Sequence, residues 1–321
     1  MTHPSSEGWI APPRPDRADG ARRRVGVEIE FSGLDVAAAA KATARRLGGS
    51  VRALSPHLAM VEGTEFGDFR VELDMRLAHA EVGGEIERAL RDLAADLGAT
   101  VVPVEIVCPP IPWDRAHALD DLRADLHRMG AEGTRDALLY AFGAQLNIEP
   151  PSLEAEDLLA LMRAFVVLRD WLRAEVQIDT LRWLTVFASP WPTPFCAHIL
   201  RPGYAPSRER LIDDYLKFNP TRDRELDLLP IFAALDERRV RAALPDEKIR
   251  PRPAWHYRLP NSEVNAWDWS IGLEWARWVR IERLAANADF LEAACGEWRT
   301  NLARTFPHDW ETRSTEIARA L

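Results

Sequence analysis

The stretch Arg24-Val-Gly-Val-Glu-Ile-Glu-Phe31 alternates between apolar and polar residues. Side chains alternate across a strand, so Val25, Val27, Ile29 and Phe31 share one face and Gly26, Glu28 and Glu30 the other. Similar patterning predicts strands over Leu58–Val61, Phe69–Met75, Thr100–Cys108, Leu139–Glu149 and Trp255–Leu259. In these, Arg70, Glu72 and Asp74 share a face, as do Gln145 and Asn147, and His256 and Arg258. Asp35 is a fitting N-cap for an Ala-rich helix that stops at Gly48-Gly49. Further helices are predicted over about 84–97 and 115–129. A long one from Glu154 carries Leu158, Leu161, Met162, Phe165, Leu168 and Leu172 at helical spacing. The C-terminal third is helical, with a stripe of Trp267, Ile271, Trp275, Trp278, Ile281 and Ala285 that reads as core. Strands separated by helices without strict alternation predict an α+β fold, with helices on one side of a mainly antiparallel sheet.

A chain of 321 residues, 47% hydrophobic and 28% charged, is long enough for a sizeable core. Residues 1–23, rich in Pro, Ser, Gly and charge, predict a flexible tail, with a single domain over 24–321. A net charge of -9 argues against nucleic-acid binding, which needs Lys and Arg on phosphates. No apolar run is long enough to span a bilayer. Cys108, Cys196 and Cys295 have no metal-type spacing and predict reduced thiols in a cytoplasmic protein.

The candidate chemistry lies on polar strand faces. Glu28 and Glu30 alone would suit a solvated face. Glu105 sits in a strand otherwise apolar on both sides, where an isolated carboxylate is expensive unless paired or metal-bound. Glu72 and Asp74 suit either the same acidic wall or an exposed hairpin side. Gln145 and Asn147 suit either a cross-strand ladder or ligand orientation. Arg201, Arg222, Arg224 and Arg258 follow the acidic strands, and arginine forks suit phosphates and carboxylates as well as surface ion pairs. His256 suits either a structural role or a ligand contact. The chain has no P-loop, dinucleotide fingerprint or nucleophile elbow. Carboxylates followed by arginines fit Mg²⁺ or Mn²⁺ holding nucleotide phosphates.

An ordered set of segments resembles the bacterial amidoligases, a branch of the glutamine synthetase and glutamate–cysteine ligase superfamily. They are Arg24–Leu34, Gly67–Asp74, Glu105–Pro110, Gly143–Asn147, Gly203–Pro206, Asn219–Pro230 and His256–Asn261. The resemblance implies a curved, mainly antiparallel sheet with helices on its outer face, as in a glutamine synthetase-like catalytic domain. It implies an ATP-dependent carboxylate–amine ligase working through an acyl phosphate. Glu28, Glu30 and Glu105 would hold Mg²⁺ or Mn²⁺. Gln145, Asn147, Arg222 and Arg224 would contact ATP, and Arg201 and Arg258 would be catalytic. Substrates would be a small-molecule or peptide carboxylate and an amine, with no nucleic acid or membrane partner and with an oligomer left open. Glutamine synthetases have histidine near Gln145 or Asn147 and glutamate at His256, so one metal site differs here. A non-catalytic scaffold or a metal-dependent hydrolase are the rival readings.

Overall fold

The computed structural model describes residues 8–74, 102–134, 142–177, 189–304 and 309–321. The expected helix over 84–97, Met75, and the starts of the strands expected from Thr100 and Leu139 lie outside the described residues.

The alternating stretch forms strand β1 (Arg24–Phe31). Val25, Val27, Ile29 and Phe31 are at most 1% exposed. Burial of each stabilises by roughly 1.5–3 kcal/mol, which decides the face that turns inward. The other strands are β2 (Ser50–Ser55), β3 (Leu58–Thr64), β4 (Gly67–Leu73), β5 (Val104–Val107), β6 (Ile111–Pro112), β7 (Ala144–Ile148), β8 (Leu226–Asp227) and β9 (Trp255–Tyr257). The described residues make one open sheet in the order β2-β3-β4-β5-β1-β7-β9-β8, with β6 beside β1. These ladders are antiparallel, as the patterning predicted.

Helices cover the apolar face. Helix α1 (Val36–Leu47) is capped by Asp35, whose carboxylate accepts from the Ala38 N–H at 2.7 Å. It ends at Gly48 and Gly49, both at positive φ. A Cβ on Gly49 would collide with the Glu62 carbonyl, so the turn into β2 requires glycine there. Helix α1 packs over β2 to β5 and against α2 (His117–Arg128). The long helix α3 (Ala155–Val176) is enclosed by sheet and helices, and its stripe of Leu158, Leu161, Met162, Phe165, Leu168 and Leu172 is buried. Phe165 meets Tyr257 of β9 edge-on at 6.5 Å. Then come α4 (Thr193–Ile199), α5 (Arg208–Phe218) and α6 (Leu229–Ala243), the last broken at Asp236. Helices α7 (Ile271–Ala285), α8 (Ala288–Leu302) and α9 (Glu311–Arg319) each pack on α3. Trp278 of α7 lies 5.4 Å from Tyr257 and 6.4 Å from Trp255, on the apolar side of β9.

Two expectations are corrected. Residues 8–23, expected in the flexible tail, are bound to the body. Trp9 stacks on Trp275 at 5.6 Å and donates to Asp120. Arg23 is fully buried in a bidentate pair with Glu282. The polar composition hid two tryptophan contacts and one internal ion pair. Trp267, expected in the core stripe, is 86% exposed. Helix α7 starts only after its N-cap Ser270, so Trp267 is out of phase with the stripe.

Candidate functional site

Residues paired across antiparallel strands point to the same side of the sheet. Glu105 of β5 pairs with Glu30 of β1 on one flank and Glu72 of β4 on the other. Three carboxylates therefore form a row across β4, β5 and β1. Two positions along, Glu28 pairs with Val107 and Gln145. Further on, Asn147 pairs with Gly26 and His256, and His256 with Asp227 of β8. Alternation puts all these residues on the polar face, opposite the core.

This face is dry for its polarity. Glu105, Gln145, Asn147, His256 and Asp227 are all buried, and Glu28, Glu30 and Glu72 are half-buried. Polar groups in such a place must satisfy one another. Glu30 accepts from the Gly143 N–H at 2.8 Å. Glu72 pairs with Arg70 at 3.0 Å. The carboxylate of Glu28 accepts from Asn147 Nδ2 at 2.8 Å, and Asn147 Oδ1 accepts from Gln145 Nε2 at 2.6 Å. The same Gln145 Nε2 is 3.2 Å from His256 Nδ1. Gln145 and Asn147 thus form a cross-strand ladder. Asp74 is buried past the end of β4, beyond the Glu72 row.

At the far end the face turns electropositive. Arg258 reaches Asp227 at 3.4 Å. Burial raises Asp227 above the usual carboxylate range, with Arg258 and Arg222 opposing. Burial, then the charges of Arg258, Arg252 and Arg222, hold His256 well below the usual histidine range, so its ring is neutral near pH 7.

Comparison with known families supplies the deciding observation. A family model described as "Putative amidoligase enzyme" matches residues 21–280, most of the chain. The chain belongs to this amidoligase family. No curated protein matches it.

Of the residues expected to serve this amidoligase, Glu28, Glu30, Glu105, Gln145, Asn147 and His256 lie on one sheet face, with Arg258 and Arg222 acting on its end. Arg222 also donates to the Lys248 carbonyl at 2.9 Å. Two residues fall elsewhere. Arg224 is half-buried, donates to the Pro190 carbonyl at 2.9 Å and acts on Tyr215 of α5. Arg201 donates to His198 Nδ1 at 2.9 Å and stacks over Tyr204 at 4.5 Å, in a cluster of α4 and α5 built around Asp214. Sequence reasoning missed Asp227 and Arg252. A two-residue strand is too short to show alternation, and Arg252 sits in a Pro-Arg-Pro run with no period.

The cysteines offer no nucleophile. All three are buried and unpaired, and burial pushes Cys196 and Cys295 up to about 11. A surface cavity of about 500 Å³ lined by Arg45, Arg46, Asp125, Arg128 and Met129 lies between α1 and α2, away from the polar face. No described helix is long and apolar enough to cross a membrane.

Proposed function

We propose that this amidoligase is an ATP-dependent carboxylate–amine ligase working through an acyl phosphate. The reading rests on one observation above the others. A row of carboxylates on β4, β5 and β1 shares a sheet face with an arginine-rich end at β8 and β9. The superfamily likeness to glutamine synthetases belongs to the same proposal.

The donor set suits a nucleotide-borne Mg²⁺ or Mn²⁺. Glu28, Glu30 and Glu105 supply hard oxygens. Among the described residues no three His, Cys, Asp or Glu are gathered closely enough to hold a metal ion by themselves. Magnesium sites that share phosphate need only one or two protein carboxylates, the remaining ligands being phosphate oxygens and water. When bound, the ion would offset negative charge on the transferring phosphoryl group.

Arg258 and Arg222 would hold phosphoryl oxygens as charge-assisted donors. The substrate carboxylate would attack the γ-phosphorus and release ADP. The amine nitrogen would then attack the acyl carbon, the carbon–oxygen bond to phosphate would break, and the nitrogen would lose a proton as the amide forms. Arg201 is engaged by His198 and Tyr204 and Arg224 by the Pro190 carbonyl, so the mechanism leans on Arg258 and Arg222. Cytoplasmic residence belongs to this reading, supported by the three free thiols.

The test is ADP release screened against pairs of amino acids, polyamines and short peptides. The ligase reading expects ADP only when a carboxylate and an amine are both present. Nucleotide hydrolysis indifferent to the amine would indicate a hydrolase. Failure to bind nucleotide at all would favour the non-catalytic scaffold.

A further inference from the structure

His256 Nε2 is buried and, among the described residues, has no hydrogen-bond partner. An unmet buried polar atom is costly, so native structures seldom leave one without a use. Whether that nitrogen donates or accepts depends on the tautomer, and the tautomer is determined by the ladder beside it.

The ladder starts at a group with one choice. An ionised carboxylate accepts only, so Glu28 must face the amide nitrogen of Asn147. That leaves Asn147 Oδ1 towards Gln145, which must present its own nitrogen. One hydrogen of Gln145 Nε2 goes to Asn147 and the other points at His256 Nδ1. Nδ1 is therefore an acceptor, and the proton of the neutral ring sits on Nε2. An N–H donor without an acceptor then stands in the positive field of Arg258, Arg252 and Arg222. The neighbouring carboxylate, Asp227, is taken up by the Leu229 N–H at 2.9 Å and by Arg258. A cation would be repelled there, and a multiply charged oxyanion would meet both the donor and the charge.

We propose that His256 is the fixed N–H donor of a phosphate-binding site at the β8–β9 end of the polar face, with Arg252 and Arg258 supplying charge and with Asn147 and Gln145 as positioning residues that relay the orientation of Glu28. The inference rests on the ligase reading only for the source of that phosphate, a nucleotide or an acyl phosphate.

The experiment uses full-length protein labelled with 15N-histidine in buffer free of divalent cations, titrated with inorganic phosphate and separately with acetate. The His256 signals are identified by their loss in His256→Phe. The expected result is an Nε2–H tautomer whose Nε2 signal moves to saturation with phosphate and not with acetate at equal concentration. Gln145→Leu should admit the Nδ1–H form and weaken phosphate binding about tenfold or more. His256→Glu should abolish it. An Nδ1–H ring in the wild type overturns the proposal. So does a signal indifferent to phosphate, an equal response to acetate, or undiminished binding by His256→Glu. The wild-type titration decides even if Gln145→Leu or His256→Glu misfolds. A phosphate response without ADP release in the substrate screen would sink the ligase reading alone, and ADP release without that response would sink this inference alone.

Discussion

Glu30 is held at its carboxylate by the Gly143 N–H and at its backbone by the Gly143 carbonyl, so its side chain has little freedom to drift. That allows a clean substitution. Glu30→Gln keeps the size and the acceptor for Gly143 but removes the charge a hard cation wants. A lost charge-assisted contact is worth on the order of 1.5–3 kcal/mol, so ATP affinity in Mg²⁺ should fall about tenfold or more. Without Mg²⁺ the variant and wild type should bind alike. Calorimetric titration checks both arms, and equal affinities in Mg²⁺ would remove Glu30 from the metal site. Arg258→Ala should remove ADP release with the circular dichroism spectrum unchanged; retained turnover would reject its phosphoryl role. Alternation along one strand was enough to place Glu28 with Glu30. Their meeting with Glu105 and Glu72, and the path from Glu28 to His256, depend on cross-strand register. Register is set by contacts between distant segments and has no local signature.

The elements most legible in the chain were those with one buried face. Strand β1 and helix α3 bury the residues their periodicity selected. Strand β2 carries no period to read, because all six of its residues are exposed. The N-terminal segment shows no pattern for the opposite reason: its anchors are single residues. Arg23 is 1% exposed, and its partner Glu282 also accepts from Trp278 Nε1 at 2.7 Å. Removing one member of a buried pair strands the other, at about 3–5 kcal/mol. Arg23→Ala should therefore lower unfolding stability by about that amount in urea, and Arg23→Met with Glu282→Leu should recover most of it. A single-variant loss under about 1 kcal/mol would mean the pair is not dry. The α4–α5 cluster carries a pH signature. Burial pushes Asp214 up, but hydrogen bonds from His198, Tyr204 and Arg210 outweigh it and leave the carboxyl below its usual value. A depressed folded pKa gives stability that is present above the unfolded value of about 4 and lost as pH falls through the folded one. Asp214→Asn should be less stable at pH 7 and show a flatter decline between about pH 4 and 2. Parallel curves for variant and wild type would refute this.

At the scale of the whole molecule, the sheet divides labour between its faces. The apolar face joins α1, α3 and α7 to the strands and fixes the register. The register in turn gathers polar residues from β1, β4, β5, β7, β8 and β9 that are as much as 228 positions apart, from Glu28 to His256. Such a face carries a cost on its own, because carboxylates stand beside carboxylates at one end and arginines crowd a neutral ring at the other. A ligand with cations at one end and phosphates at the other would relieve both at once. ATP with Mg²⁺ is such a ligand, and ATP or Mg²⁺ alone relieves only one end. Thermal unfolding should therefore respond more than additively. At a hundredfold excess over Kd a ligand specific to the folded state stabilises by about 2.7 kcal/mol, a rise of several degrees in Tm. The expected outcome is that rise with ATP and Mg²⁺ together, and a smaller one with either alone. In Glu30→Gln the combined rise should shrink to that of ATP alone. A combined shift no larger than the sum of the separate ones would mean that the two ends of the face do not share a ligand, and the case for a nucleotide spanning them would fall.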